Sequence, residues 1–367
     1  MDKKKTITYF QLFTLMFFLN NASIFILGLP KPLFQDGWIG ILMCLGIEMI
    51  ILVFYWVLII KHPHSDLSMI IKNTFGKSIG KIIVLIYAGY FIYIAYRVME
   101  DLYYLLDITL LLNTPKYAIY LAALPVLIYC INLGVDALGR ISVIMFSFIM
   151  IAFVLEVFGH FTTATDVNNF TPILERGWAP ILEWSSTQFM VLFGEIVVVL
   201  VYFKNVKDTK KAMKFVYLTV IINAIIMVLF FCVDTLTLDP VLAEITTYPI
   251  MIIAQLILVP FLEKIDVIIF ALIIFISFMK VLVLFYASSA LTVSVFKKAN
   301  KLLVNIFLGI IIFMFAMFSN QSILRFFDVG LEIVPIYLHF PLQIGIPILM
   351  VVLSLFKRFP KNKEESK

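Results

Sequence analysis

Charge is scarce in this 367-residue chain: Asp, Glu, Lys and Arg make up 14% of it, against 63% hydrophobic residues. With a mean hydropathy of +1.06, too little polar surface exists to clothe a water-soluble core, so lipid must be the solvent. Cysteine is nearly absent as well. Cys44, Cys130 and Cys232 each fall inside an apolar stretch; they read as small buried hydrophobes and exclude a disulfide framework. Among only four histidines, His62 and His64 make half a metal site with no further ligands clustered nearby, so no metal is expected. A zinc-binding helix motif, a phosphate loop and a nucleophile elbow are all missing, which argues against an enzyme: no catalytic residue and no cofactor is expected. Soluble domains, linkers and low-complexity tracts are missing too, and Pro360–Lys367 reads as a solvated tail. No small-residue cleavage site follows the basic start, and Gly28-Leu29-Pro30 looks like a helix end. The first apolar run therefore counts as a span.

What is present is oil in long runs. Ten stretches approach the ~20 residues needed to cross ~30 Å of hydrocarbon. They are Tyr9–Leu29, Trp38–Ile60, Ile82–Leu106, Tyr117–Ile131 and Ile141–Phe161, then Ile181–Phe203, Met213–Val233, Val267–Ala290, Leu302–Phe318 and Leu331–Phe356. The expected fold is an all-α integral membrane protein of ten transmembrane helices in a single transmembrane domain. Basic residues set its orientation. With the amino terminus cytoplasmic, 21 of the 28 Lys and Arg fall inside, five (Lys31, Lys116, Arg176, Lys264, Arg325) fall outside, and Arg97 and Lys280 lie within spans. Both termini are then cytoplasmic. The net charge of +5 is explained by topology and needs no nucleic-acid partner. Lys61–Lys81 suits a short amphipathic helix on the cytoplasmic surface. Thr162–Pro180 and Thr235–Asp266 are long outer loops, and Ile250–Leu262 suits the outer interface; such loops serve as lids or as inert caps.

A five-plus-five division, residues 1–161 and 162–367, would invert the second half, and the first helix of each half should then be interrupted near the midplane. Span one carries Asn20-Asn21-Ala22-Ser23; span six carries Ser185-Ser186-Thr187-Gln188 and Phe193-Gly194-Glu195.

Six ionisable residues lie inside spans: Glu48, Arg97, Glu100, Asp101, Glu195 and Lys280. At roughly 2.5–3.5 kcal/mol each, their summed cost if unpaired would be about 15–20 kcal/mol, more than a folding margin. They must meet one another, water or a ligand. On span three, Tyr90, Tyr93, Arg97, Glu100 and Tyr104 fall within about an 80° arc. This stripe is either a pocket wall, in which Tyr93 and Arg97 address a small polar ligand, or a network with Arg97 held by Glu100 or Asp101. Glu195 after Gly194 is either a site residue or a structural partner for Lys280 or Arg97; the glycine weakens the helix and frees carbonyls. Lys280 is either a fixed ammonium standing where a coupling cation would sit, or an ion pair with Glu48 or Glu195. Asn20, Asn21 and Ser23 either line a break and bind a carboxylate or bond between helices. Glu48 reads as a supporting internal charge.

The run Phe170-Thr171-Pro172-Ile173-Leu174, Gly177-Trp178-Ala179-Pro180-Ile181-Leu182 and Phe193-Gly194-Glu195 resembles the middle of the spore germination permease family. These are the B-type subunits of nutrient germinant receptors, within the amino acid–polyamine–organocation superfamily. Phe261-Leu262-Glu263-Lys264-Ile265-Asp266 and Phe278-Met279-Lys280 resemble that family's stretches around span eight. Phe75-Gly76-Lys77, Gly80-Lys81 and Leu29-Pro30 fit as well, so the resemblance covers essentially the whole chain. It implies a ten-span, LeuT-like inverted repeat in the spore inner membrane. It also implies sensing of a small germinant, typically an amino acid, with A-type and C-type subunits as partners. The pocket would lie between spans one, three, six and eight, with Asn20, Ser23, Phe25, Tyr93, Arg97, Phe193, Gly194 and Glu195 near the ligand, and Lys280 and Glu48 as internal charge. Two departures stand out. Ser23-Ile24-Phe25 replaces a Gly-x-Gly-like element, which would narrow the pocket at Phe25, and Leu192 replaces a proline. A proton-coupled amino acid permease, with Glu195 or Lys280 titrating, is the alternative reading.

Overall fold

A chain dissolved in lipid must pair its backbone amides within each segment, and every regular element among the described residues is helical. The computed structural model describes residues 6–28, 30–160, 165–256, 265–319 and 322–356. The first half comprises α1 (Tyr9–Leu27), α2 (Gly37–Lys61), α3 (Leu67–Phe75), α4 (Lys77–Thr109), α5 (Lys116–Leu133) and α6 (Val135–His160). The second half comprises α7 (Trp178–Leu192), α8 (Val199–Tyr202), α9 (Thr209–Thr237), α10 (Pro240–Ile245), α11 (Pro249–Leu256), α12 (Ile265–Val295), α13 (Lys301–Phe318), α14 (Ile323–Asp328) and α15 (Ile346–Phe356). Nine helical stretches among the described residues are long and apolar enough to cross a membrane. They coincide in order with the second to tenth expected spans. The first falls on α1, whose side chains are described only as far as Ala22.

The outward faces are apolar, with Ile50, Phe148 and Phe307 each about 60% exposed. This is the reverse of a water-soluble surface and is what an acyl-chain solvent requires. Inside, α4 and α12 pack along each other at the centre, and Ser288 Oγ donates to Ala88 O at 2.8 Å. α1 lies against α6, α9 and α12; Thr14 and Ser142 join their hydroxyls at 2.7 Å between α1 and α6.

The Lys61–Lys81 segment does form the amphipathic helix expected of it, but its apolar face turns inward. Leu67, Ile70 and Ile71 of α3 are buried, packed towards α4, α8, α12 and α15. Two charges hold it there. Asp66 caps α3, its carboxylate accepting from Met69 N at 2.9 Å, and pairs with Lys204 Nζ at 2.7 Å. Lys72 Nζ donates to Ser294 O at 3.0 Å. Gly76, at φ +84°, ends α3 and begins α4; a side chain there would be strained. Asp66→Ala is expected to lower stability by about 1–2 kcal/mol, the usual worth of a cap, with little from the part-exposed ion pair. A melting temperature equal to wild type would contradict this.

Span one is not interrupted. α1 runs helical through Asn20–Ser23, because neither glycine nor proline occurs there, and Asn21 Nδ2 donates back to Phe17 O at 2.9 Å. Span six is interrupted. α7 stops at Leu192, Phe193 departs from helical geometry, and Gly194–Val198 continues as a tighter 3-10 turn before α8.

In the connection between α6 and α7, Leu174 N donates to Asp36 Oδ1 at 2.9 Å, and Gln35 Nε2 donates to Pro172 O at 2.8 Å. The connection after α9 folds into α10 and α11. Residues 257–264, with the Phe261–Lys264 part of the resembling segment, lie outside the described residues.

Candidate functional site

The break in span six is where the charges meet. Beyond Gly194 the backbone turns Glu195 inward, and its Oε2 lies 2.8 Å from Lys280 Nζ of α12. Lys280 is fully buried and Glu195 nearly so. In hydrocarbon an ammonium without a counter-charge is expensive, so two residues 85 positions apart in the chain are held together by the absence of water. Glu48 takes no part in this pair. It is fully buried on α2, and neither carboxylate oxygen has a hydrogen-bond partner among the described residues.

The last spanning segment supplies the other wall. After α14 the backbone loosens into π-helical turns at Val329–Ile333 and Pro335–Gly345 before α15. Its prolines are the cause. Pro335 and Pro347 have no N–H, so the carbonyls four residues earlier, Leu331 and Gln343, lose their α-helical donors. Both find replacements from other helices. Gln188 Nε2 donates to Leu331 O at 2.9 Å, and Tyr55 Oη to Gln343 O at 2.6 Å. Tyr87 Oη donates to the adjacent Leu342 O at 2.6 Å. The widened turn points His339 and Gln343 inward. His339 Nδ1 shares a hydrogen bond of 2.7 Å with Tyr90 Oη. Gln343 Nε2 donates to Tyr90 Oη at 2.8 Å and to Met190 O, one turn before the break, at 3.2 Å.

Between these walls lies a chamber bordered by Arg97 and Asp101 of α4, Glu195, His339, Gly330 and Phe327, with apolar residues between them. Arg97 is held from behind: Nη2 donates to Phe326 O at 2.7 Å, and its guanidinium lies 3.8 Å over the Phe326 ring. Gly330 makes room for it, since a Cβ there would fall 2.1 Å from Arg97 Nη2. Asp101, one turn further along α4, is buried, and its Oδ1 has no hydrogen-bond partner among the described residues. Arg97 and Lys280 both act on it electrostatically, yet no ion pair joins Asp101 to Arg97. Glu100 faces elsewhere, towards Lys116 of α5, which donates to it, and Tyr120 Oη at 2.7 Å. Among the described residues the chamber thus offers a guanidinium with one N–H group given to Phe326 O and a carboxylate oxygen without a partner, one helical turn apart on one wall.

Of the residues the sequence nominates, Arg97 and Glu195 border this chamber. Tyr93 packs edge-on against Phe315 of α13, ring centroids 6.3 Å apart, because the arc it shares with Arg97 is wide enough to reach a different neighbour. Phe193 is fully buried beside the break, and Gly194 backs onto Gln343. Asn20 is buried and its amide has no partner among the described residues, but it is not among the chamber's lining residues. The side chains of Ser23 and Phe25 lie outside the described residues. His339, Gln343 and Gly330 escaped sequence reasoning; three prolines (Pro335, Pro341, Pro347) and two polar residues within one apolar span were the available signal.

An all-helical, multiply spanning integral membrane protein with a charged chamber at an interrupted helix is the class these observations define. The chain belongs to the spore germination protein family, whose model matches residues 6–323. It is similar to spore germination protein KB of Bacillus subtilis (strain 168), with 27% identity across 100% of this chain and 98% of that protein. It is also similar to spore germination protein YndE of the same organism, with 25% identity covering 91% and 92% of the two chains. Spore germination protein A2, again from that organism, matches 56% of this chain and 57% of its own length at 29% identity.

Proposed function

We propose that this chain is the membrane-embedded nutrient-sensing subunit of a spore germinant receptor, which binds a free amino acid or similar small germinant in the chamber and signals to A-type and C-type partner subunits. The observation that carries the reading is the Arg97–Asp101 wall: a buried cation and a buried anion, one turn apart, each with hydrogen-bonding capacity left over. A zwitterion matches it, carboxylate to Arg97 and ammonium to Asp101, with charge-assisted bonds strengthened by exclusion of water. The Glu195–Lys280 pair forms a neutral floor, and the irregular segments after Leu192 and Asp328 are the two elements able to shift. Occupancy changes the balance between two arrangements only through better binding to one of them. In this reading the ten spans form a five-plus-five inverted repeat in the spore inner membrane, with both termini cytoplasmic. Membership of a spore germination family and full-length similarity to protein KB support the assignment.

The test is a thermal-shift screen of the purified protein against amino acids, sugars and nucleosides. At a hundredfold excess over Kd, a ligand contributes about 2.7 kcal/mol, a shift of several degrees. At least one amino acid is expected to produce it, and Arg97→Gln to diminish it. A response confined to uncharged sugars, or one undiminished in Arg97→Gln, would sink the reading. In proteoliposomes, binding without flux supports a sensor; accumulation driven by a pH gradient would make the chain a permease.

A further inference from the structure

A second cavity lies on the outer side. It lies between the turn after α1, the outer end of α9, α10 and α11. Asp234 of α9 borders it, with Oδ1 buried and without a hydrogen-bond partner among the described residues. Lys31 borders it too, its ammonium donating to Thr246 O at 2.8 Å and Thr247 O at 3.0 Å. No ion pair joins Lys31 to Asp234, although they share one crevice with Phe34, Phe230 and Phe231. Gly28, at φ +61°, brings the chain so close that a Cβ would lie 3.1 Å from the Pro249 ring.

We infer that this crevice is an outer capture site for a small zwitterion of the free amino acid class, distinct from the chamber and preceding it. A carboxylate edge with unused acceptor capacity in an aromatic-walled space suits a primary ammonium, through charge and through the ring faces. Among the described residues Lys31 is bound only to neutral carbonyls, and a ligand carboxylate is the stronger acceptor for it. The ligand class is that of the proposed chamber reading and rests on it to that extent; the site itself does not.

Capture has a consequence for the chamber. Thr246 and Thr247, which Lys31 holds, immediately precede Tyr248. The Tyr248 side chain is buried and packs edge-on to Phe327, a chamber residue, at 6.2 Å between centroids. Asp101 lies within electrostatic range of its hydroxyl. A ligand carboxylate that draws Lys31 away releases the strap from which Tyr248 hangs over the chamber. The same event that fills the outer site therefore loosens the inner roof.

The experiment measures equilibrium binding of L-alanine, L-valine and L-asparagine to the full-length protein in lipid nanodiscs, alongside hydrogen exchange over residues 240–256. Propionate and ethylamine serve as half-ligands. Wild type is expected to bind at least one of the three amino acids at two sites, at least tenfold more tightly than either half-ligand, with faster exchange in the strap. Asp234→Asn removes an uncompensated charge and is expected to fold at least as well; it should lose one site and the exchange response. Lys31→Gln should show raised strap exchange without ligand. Asp101→Asn should lose the other site and keep the exchange response. Wild-type binding and exchange in Asp234→Asn, or no binding of any of the three by wild type, overturns the capture site. Wild-type binding in Asp101→Asn, with Asp234→Asn impaired, overturns the chamber reading alone.

Discussion

Lys280→Met is expected to destabilise the protein by about 3–5 kcal/mol, the range for removing one partner of a buried ion pair. The variant should show a marked loss of folded material in detergent. The reason is Glu195, left at 5% exposure with its ion-pair partner gone. Glu195→Gln should be damaging for the mirror-image reason. The double variant Lys280→Met/Glu195→Gln is expected to recover most of the lost stability, because no net charge then remains to be compensated. A double-mutant cycle in thermal or denaturant unfolding reads the coupling directly. Lys280→Met melting at the wild-type temperature, or additive losses in the double variant, would show that the contact does not support the fold. If the pair also sets the balance between two receptor arrangements, spores carrying the double variant should contain normal amounts of protein and fail to respond to nutrient.

Gly194→Ala is expected to displace the last spanning helix. A methyl group there would lie 2.1 Å from Gln343 Oε1, and Gln343 is not free to swing aside. Its amide is bonded to Tyr90 Oη and Met190 O, and its own carbonyl is held by Tyr55. Moving it strands buried partners at about 1–3 kcal/mol each. We expect a loss of about 2–4 kcal/mol in stability on that basis, partly rescued by Gln343→Ala, which removes the obstructing amide. Thermal unfolding of the single and double variants decides the matter. Equal melting of Gly194→Ala and wild type would mean that the break in span six is not locked by the last helix.

Hydropathy located the spanning segments because the burial of an apolar run in lipid is a local property of the run. Nine of the ten expected spans recur as helices of sufficient length among the described residues, and the tenth falls on α1. The interruption at Phe193-Gly194-Glu195 was legible for a similar reason: glycine weakens a helix wherever it stands. Asn20–Ser23 misled, because asparagine and serine can satisfy their polar groups without unwinding the backbone, as Asn21 does through Phe17 O and Asn223 Oδ1.

Lys280 had two acidic candidates, Glu48 and Glu195, and one-dimensional spacing cannot choose between them. The choice depends on how α2, the post-α7 turn and α12 are rotated about their axes, which packing sets. Arg97, Glu100 and Asp101 lie within five residues of one another, yet they face different neighbours. Glu100 turns to Lys116, Arg97 to Phe326, and Asp101 to the chamber.

By itself, the order of residues determined that this chain lives in a bilayer as helices and that its few internal charges must be compensated, since both follow from the cost of moving each group out of water. Only the tertiary structure decided which charge meets which. It also decided that the carbonyls orphaned by Pro335 and Pro347 are recovered by Gln188 and Tyr55 of distant helices, and that a chamber survives between Arg97, Asp101 and Glu195. Those are contacts across helices, fixed by the mutual fit of whole surfaces, and no local periodicity encodes them.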